Sequence, residues 1–254
     1  MLRRLLVLLC LAAPAHAQEE VVLGLSQNRV AITANFDGSE ILVFGAVKRE
    51  DSIPEGDPLQ VIVAVSGPNE PITVRRKEKK FGIWVNTDSV EIDGAPSFYA
   101  VATSGPLGEI VSPAENRLHQ ISVENAISSI GAQTQKPGAA EFADAVVRIR
   151  TNQGFYMLRE NTVDVSEQTL FRTSVAMPAN LTEGFYATRV FLVRSGEVIS
   201  TYETKIDVRK VGLERWLYNL SRQQPLVYGL LSLAIAIIAG WGASAFFRVI
   251  RQGR

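Results

Sequence analysis

The chain holds one cysteine, Cys10, and two histidines, His16 and His119, in 254 residues. Cys10 and His16 both fall in a stretch that reads as a secretory signal. Arg3 and Arg4 precede an apolar run over residues 5–13, and Ala15-His16-Ala17 stands before Gln18-Glu19-Glu20. Cleavage after Ala17 predicts a mature chain, starting at Gln18, with no thiol and a single imidazole. No disulfide or cysteine-ligated metal is then available, and one histidine cannot supply the usual zinc ligands. The apolar run is too short to cross about 30 Å of hydrocarbon. Cys10 follows Leu9 rather than the small residue a lipoprotein signal needs. No Gly-x-Ser-x-Gly and no glycine-rich phosphate loop is present. Positive charge is also scarce where it would matter. Five of the 26 basic residues (Arg3, Arg4, Arg248, Arg251 and Arg254) lie at the ends, leaving 21 basic against 26 acidic between them. A net charge near −5 speaks against nucleic acid as a partner, which would need a basic face.

Charge is missing altogether from residues 226–247, a run of 22. As a helix it would extend about 33 Å, enough to span a bilayer. Pro225 suits its first turn. Arg248, Arg251 and Arg254 follow as a cytoplasmic anchor, because arginines beside a span favour the cytoplasmic side. The expected topology is a signal peptide at 1–17, an exported body, a transmembrane helix at 225–247 and a cytoplasmic tail at 248–254. Residues 211–224 read as a juxtamembrane amphipathic helix, with Leu213, Trp216, Leu217 and Leu220 on one face. It lies along the membrane surface or packs on its own exported body. Within the span Ser232, Ala236, Gly240 and Ser244 recur at every fourth position. Such a stripe lets two helix backbones approach closely. It packs on a transmembrane partner protein or on a second copy, or else faces membrane lipid.

The exported body alternates like β-structure. The fold class expected is mainly β with a helical middle, built from β-sandwich, immunoglobulin-like modules. In residues 29–36 Val30, Ile32, Ala34 and Phe36 share one face, and Asp37-Gly38 predicts a hairpin to residues 40–49. Residues 61–65 are apolar on both faces, as in a sandwich core. Further strands are expected at 72–76, 81–85 and 98–102, which closes a first module at 18–111. Ser112-Pro113-Ala114-Glu115 is a helix start. One helix is expected at about 113–130 and another at about 140–152, within a helical segment at 112–153. A second β module, 154–210, has strands at 162–165, 170–176, 185–194 and 198–208. Ser195-Gly196 is the turn of its last hairpin, and residues 180–186 resemble the loop entering a late immunoglobulin strand. Whether the two modules are separate domains stays open.

Little in this body suggests chemistry. His119 reads as an ordinary residue of its helix rather than a general base. Glu50, Asp51, Glu55 and Asp57 surround Pro54 and Pro58. Oxygen ligands suit calcium, but the spacing fits no calcium loop, and solvated turns explain it. Arg75-Arg76-Lys77-Glu78-Lys79-Lys80 is the densest charge run. Arg75, Arg76 and Lys77, with Trp84 and Asn86 beyond them, are the candidate partner-binding residues; a solvated hairpin tip and a core tryptophan are the plain alternatives. No catalytic, cofactor or metal residue is identified.

Several phrases stand together in order: Phe44-Gly45-Ala46, Arg75-Arg76-Lys77, Phe81-Gly-Ile-Trp-Val-Asn86, Pro96-Ser-Phe-Tyr-Ala-Val101, Pro106-Leu107, Gly184-Phe-Tyr186, Val190-Phe-Leu192 and Arg209-Lys-Val-Gly212. Over nearly the whole mature chain they resemble the alphaproteobacterial transmembrane protein family Alph_Pro_TM. The resemblance implies a signal-bearing, single-span protein, and it carries no catalytic residue. It also implies a gene placed beside a sulfite-exporter-like permease, which would suit an accessory subunit. The expectation is a non-enzymatic accessory or interaction protein of a bacterial inner membrane, its β region periplasmic. A membrane-anchored hydrolase or redox enzyme of unrecognised type is the alternative.

Overall fold

The computed structural model describes residues 19–33, 36–49, 52–54, 56–131 and 139–252. The expected signal peptide, Glu50, Asp51, Glu55, residues 132–138 and Arg254 lie outside the described residues. The strands are β1 (Glu20–Leu25), β2 (Arg29–Ile32), β3 (Ser39–Lys48), β4 (Gln60–Ser66), β5 (Asn69–Lys80), β6 (Ile83–Pro96) and β7 (Tyr99–Thr103). Helices α1 (Leu107–Ile110), α2 (Pro113–Leu118), α3 (Val123–Gly131) and α4 (Ala139–Asn152) follow. Then come β8 (Tyr156–Arg159), β9 (Asp164–Ser166), β10 (Leu170–Met177), β11 (Gly184–Arg194) and β12 (Glu197–Lys210). The chain is thus mostly β, with helices in the middle and at the C-terminal end.

Three sheets form. One has the order β1-β3-β10-β9, a second β2-β12-β11-β4-β7-β8, and the third is the β5-β6 pair. Strands from before and after the helices interleave: β10 pairs with β3, and β11 with β4. β7 and β8 run parallel, which requires a crossover, and α1 to α4 supply it. The six-stranded sheet is covered on both faces. Ile62, Ala64, Tyr99, Val101, Phe191 and Val193 share one buried cluster with Ile121, Ile127, Phe142 and Val146 of the helical segment. The alternate residues Val61, Val63, Val65, Val190 and Leu192 are equally buried and point the other way, since strand side chains alternate. This is why residues 61–65 are apolar throughout.

The β3 phrase Phe44-Gly45-Ala46 has a packing reason. A Cβ on Gly45 would meet the Phe171 ring at 2.5 Å and the Val22 carbonyl oxygen at 2.7 Å. Tyr186, buried at the start of β11, donates its hydroxyl hydrogen bond to the Thr182 carbonyl at 2.9 Å. The bond resembles the tyrosine corner of immunoglobulin-like sandwiches, and it lies in residues 180–186, whose sequence resembles the loop entering a late immunoglobulin strand.

Three local expectations fail. The hairpin between residues 29–36 and 40–49 does not form, because β2 and β3 belong to different sheets; Asp37-Gly38 lies in the stretch of chain that joins them. The helix expected at 113–130 is broken. Gln120 adopts φ 50°, and Ser122 starts a new helix by accepting the Asn125 amide at 3.4 Å. Phe81 begins no strand. It has φ 51° and Gly82 has φ 86°, so the two form the reversing turn of the β5–β6 hairpin.

Residues 209–254, with 31–36, form a second compact unit. In it the Val211 amide donates to the Ile32 carbonyl at 2.9 Å. Helix α5 (Leu213–Gln223) leads through Gln224 to α6 (Pro225–Gln252). Pro225 disfavours a helical conformation at Gln224, which has φ −137° and ψ 67°. Helix α6 carries a 20-residue apolar stretch, Pro225–Ser244, of mean hydropathy 2.0, none of it buried. It runs on past residue 247 to Gln252.

Candidate interaction surfaces

The β5–β6 hairpin has two halves. Near its base Val74 pairs with Val90 and Ile72 with Ile92. Val90 and Ile92 are each 1% exposed and belong to the cluster under α3 and α4. Arg76 marks the limit of this cover. Its guanidinium lies 5.0 Å from the centre of the Phe142 ring of α4 and pairs with Glu141. One of the expected partner-binding cations is therefore engaged inside the molecule.

Beyond Arg76 a bulge shifts the register by one residue, and Lys77 pairs with Asn86, Glu78 with Val85, Lys79 with Trp84 and Lys80 with Ile83. Among the described residues no element covers this distal arm: residues 75–84 are exposed throughout. Trp84 is 69% exposed, Ile83 is 64% exposed, and Phe81 stands free at the apex. Strand alternation puts Ile83 and Val85 on one face and Trp84 and Asn86 on the other. Among the described residues, Arg75, Lys77, Lys79 and Lys80 take part in no ion pair. The structure brings Lys77, Trp84 and Asn86 together on one face of a projecting arm and leaves Arg75 on the solvent side of its root. Phe81 and Ile83 were missed as site residues. The signal was present: residues 75–80 are too polar on both faces to lie in a core, and Phe-Gly between two strands allows a tight turn.

His119 ends α2 and faces Glu115 at 3.4 Å. Its ring meets Phe191 edge-on at 5.8 Å. Its carbonyl accepts from Arg189 at 2.9 Å, and Arg189 also donates to the Tyr99 hydroxyl at 2.8 Å. Burial pushes the Tyr99 hydroxyl pKa up, partly offset by the Arg189 charge. The network ties the helical crossover to the six-stranded sheet. A second polar centre was not foreseen. Buried Glu19 lies between Arg49, at 2.5 Å, and Arg194, at 3.1 Å. Arg194 further donates to the Asp57 carbonyl at 2.7 Å, so the described member of the carboxylate group contributes its backbone here. Among the described residues no group of three or more histidine, aspartate or glutamate side chains is placed to hold a metal ion.

On α6, Ser232, Ala236, Gly240 and Ser244 are all exposed. A Cβ on Gly240 would meet nothing within 4 Å. The Ser232 hydroxyl donates to the Tyr228 carbonyl at 2.9 Å, so it is satisfied within its own helix. Arg248 and Arg251 continue the helix. On α5, Trp216 and Tyr218 are exposed, and Arg222 lies 5.8 Å from the Tyr218 ring.

A protein-family model described as "Putative transmembrane protein (Alph_Pro_TM)" matches residues 20–249. That description and the uncovered apolar helix agree on association with a membrane. No curated protein matches the chain.

Proposed function

The chain belongs to the Alph_Pro_TM family, and from that premise we propose that it is a non-enzymatic interaction protein of a bacterial inner membrane. In this reading α6 is its single span. The β body lies in the periplasm, the arginines at 248 and 251 lie on the cytoplasmic side, and the protein serves a membrane transporter or another partner as an accessory subunit. One observation carries the reading. A hairpin ends in three neighbouring exposed apolar side chains, Phe81, Ile83 and Trp84, beside three lysines that take part in no ion pair among the described residues, and contiguous apolar surface left uncovered marks interaction sites. The small-residue stripe of α6 is the second contact surface of the proposal, because helices in lipid associate where small side chains let backbones approach.

Photo-crosslinking in intact cells tests it. A photoreactive residue at position 84 or 236 of the full chain should yield discrete adducts, and the same residue at exposed Leu158 should not. Gly240→Leu should weaken the adduct formed from position 236, whereas Leu231→Ile should leave it unchanged. Absence of any adduct from both positions, in cells where the chain is folded and membrane-bound, refutes an interaction role.

A further inference from the structure

We propose that the tip of the β5–β6 hairpin docks into the surface of an anionic lipid bilayer, with Phe81, Ile83 and Trp84 inserted and Lys77, Lys79 and Lys80 on the headgroups. The inference rests on the interaction role just given and names what the hairpin touches. The distribution of apolar residues favours lipid over protein. A strand or hairpin that docks on a protein presents an apolar face. Here Ile83 and Trp84 lie on opposite faces, and Phe81 is at the apex between them. Apolar side chains therefore stand on both faces of the tip, and a bilayer interface covers both at once, whereas a single flat protein surface covers one. The lysines share this geometry: Lys79 is paired across from Trp84 and Lys80 from Ile83, so ammonium groups also occur on both faces.

Depth agrees as well. At about 3.3 Å per residue, Ile83 and Trp84 lie within about 10 Å of the apex, and Lys77 about 13 Å from it. Interfacial segments reach about 5–10 Å into the headgroup and acyl boundary. Insertion that shallow leaves the unpaired strand edges within reach of water, which a deeper arm would lose. Long lysine side chains can lie along the apolar part while their charges reach phosphate, and tryptophan favours the same boundary. The two-residue turn fixes the tip, so little order is lost on docking. The exported body is acidic overall, and the run from Arg75 to Lys80, with five cations and one anion, locally reverses that sign. A chain carrying a membrane-spanning helix always has a bilayer close at hand.

The test uses the full chain with Trp216→Phe and Trp241→Phe, which leaves Trp84 as the reporter. It is reconstituted into vesicles of phosphatidylcholine alone or mixed with phosphatidylglycerol, with brominated acyl chains as quenchers. Trp84 emission should shift to the blue and be quenched in the anionic vesicles only, and raised salt should reverse part of the effect, because surface charge is screened. Each lysine strengthens attraction to an anionic surface about five-fold. Removing three charges, with Lys77→Gln, Lys79→Gln and Lys80→Gln, should thus shift the docking equilibrium about 100-fold toward water. Circular dichroism of that variant should be unchanged, because all three lysines are exposed; Lys→Arg at the same positions should retain docking. Trp84 emission that stays water-like in anionic vesicles overturns the proposal. If position 84 then still crosslinks to a protein in cells, the interaction role stands and its occupant is a protein surface. If neither position 84 nor position 236 crosslinks, both readings fall.

Discussion

The two halves of the β5–β6 hairpin share one secondary structure and one alternating pattern, yet have opposite fates. At the base, Val74, Val90 and Ile92 lie under α3 and α4 and are lost to solvent. At the far end Ile83 and Trp84 are no less apolar, and both are exposed. Along β6 nothing intrinsic to the strand separates them, although β5 turns polar on both faces over residues 75–80. The difference is the cover: Phe142 and Val146 of α4 reach the base, and Arg76, stacked on Phe142, is where that cover stops. Alternation shows that a strand has a face to bury, and the neighbouring elements decide whether the molecule itself buries it.

The strongest way to break this contrast is to remove the cover. Phe142→Ala should destabilise the β body by about 3–5 kcal/mol, through lost transfer energy and the cavity left behind. Urea unfolding of the solubilised full chain would measure it. Ile92→Ala removes the covered residue instead and should cost about 2–5 kcal/mol. Should either change prove neutral, the base is held by something other than the helices.

The same contrast explains what could be read in the sequence. The apolar helix at 225–247, the second helix at about 140–152 and the strand at 170–176 were legible because each has a local signal, an uncharged run for the first and the spacing of apolar residues for the others. The doubly apolar run at 61–65 was legible as core for the same reason. Strand order was not, since β3 selects β1 and β10 through contacts up to 120 or more positions apart in the chain, which no local pattern encodes. The break at Gln120 depended on a cap at Ser122 hidden in a helical-looking run. Of the candidate site, the basic run and Trp84 were visible as residue types. That Arg76 would be consumed by Glu141 and Phe142, while Trp84 stayed free, depended on where α4 packs. The Glu19 centre joins residues from both ends of the β body and left no local trace.

Two smaller effects probe the boundary. Tyr156 packs beneath the base and donates to the Pro96 carbonyl at the end of β6, at 2.7 Å. Burial pushes its hydroxyl up to about 12 from the ordinary 10.0, and that of Tyr186 likewise to about 12. A raised pKa means that the folded state holds the proton more tightly than the unfolded state. The resulting stability is complete below about pH 10 and is lost as the pH rises through about 12. The urea midpoint should therefore fall over that window, and Tyr156→Phe should flatten part of the fall, leaving the share due to Tyr186 and Tyr99. Glu141→Gln, at the limit of the cover, breaks a pair whose side chains are 42% and 72% exposed. It should cost less than about 1 kcal/mol, in contrast with the neighbouring Phe142→Ala.

The smallest effect on stability is expected at the tip, and it is the most informative. Trp84→Ala removes a large apolar side chain that touches little of its own molecule, so unfolding should change by no more than about 0.5 kcal/mol. Its emission, its crosslinks and its contact with lipid would all be lost together. A core tryptophan behaves in the opposite way, with a loss of about 3–5 kcal/mol on truncation. The size of this one change thus decides whether the distal arm is covered by the protein itself or reserved for a surface outside it. A large loss would mean that Trp84 is packed in the folded chain, and the contrast between the two halves of the hairpin would disappear.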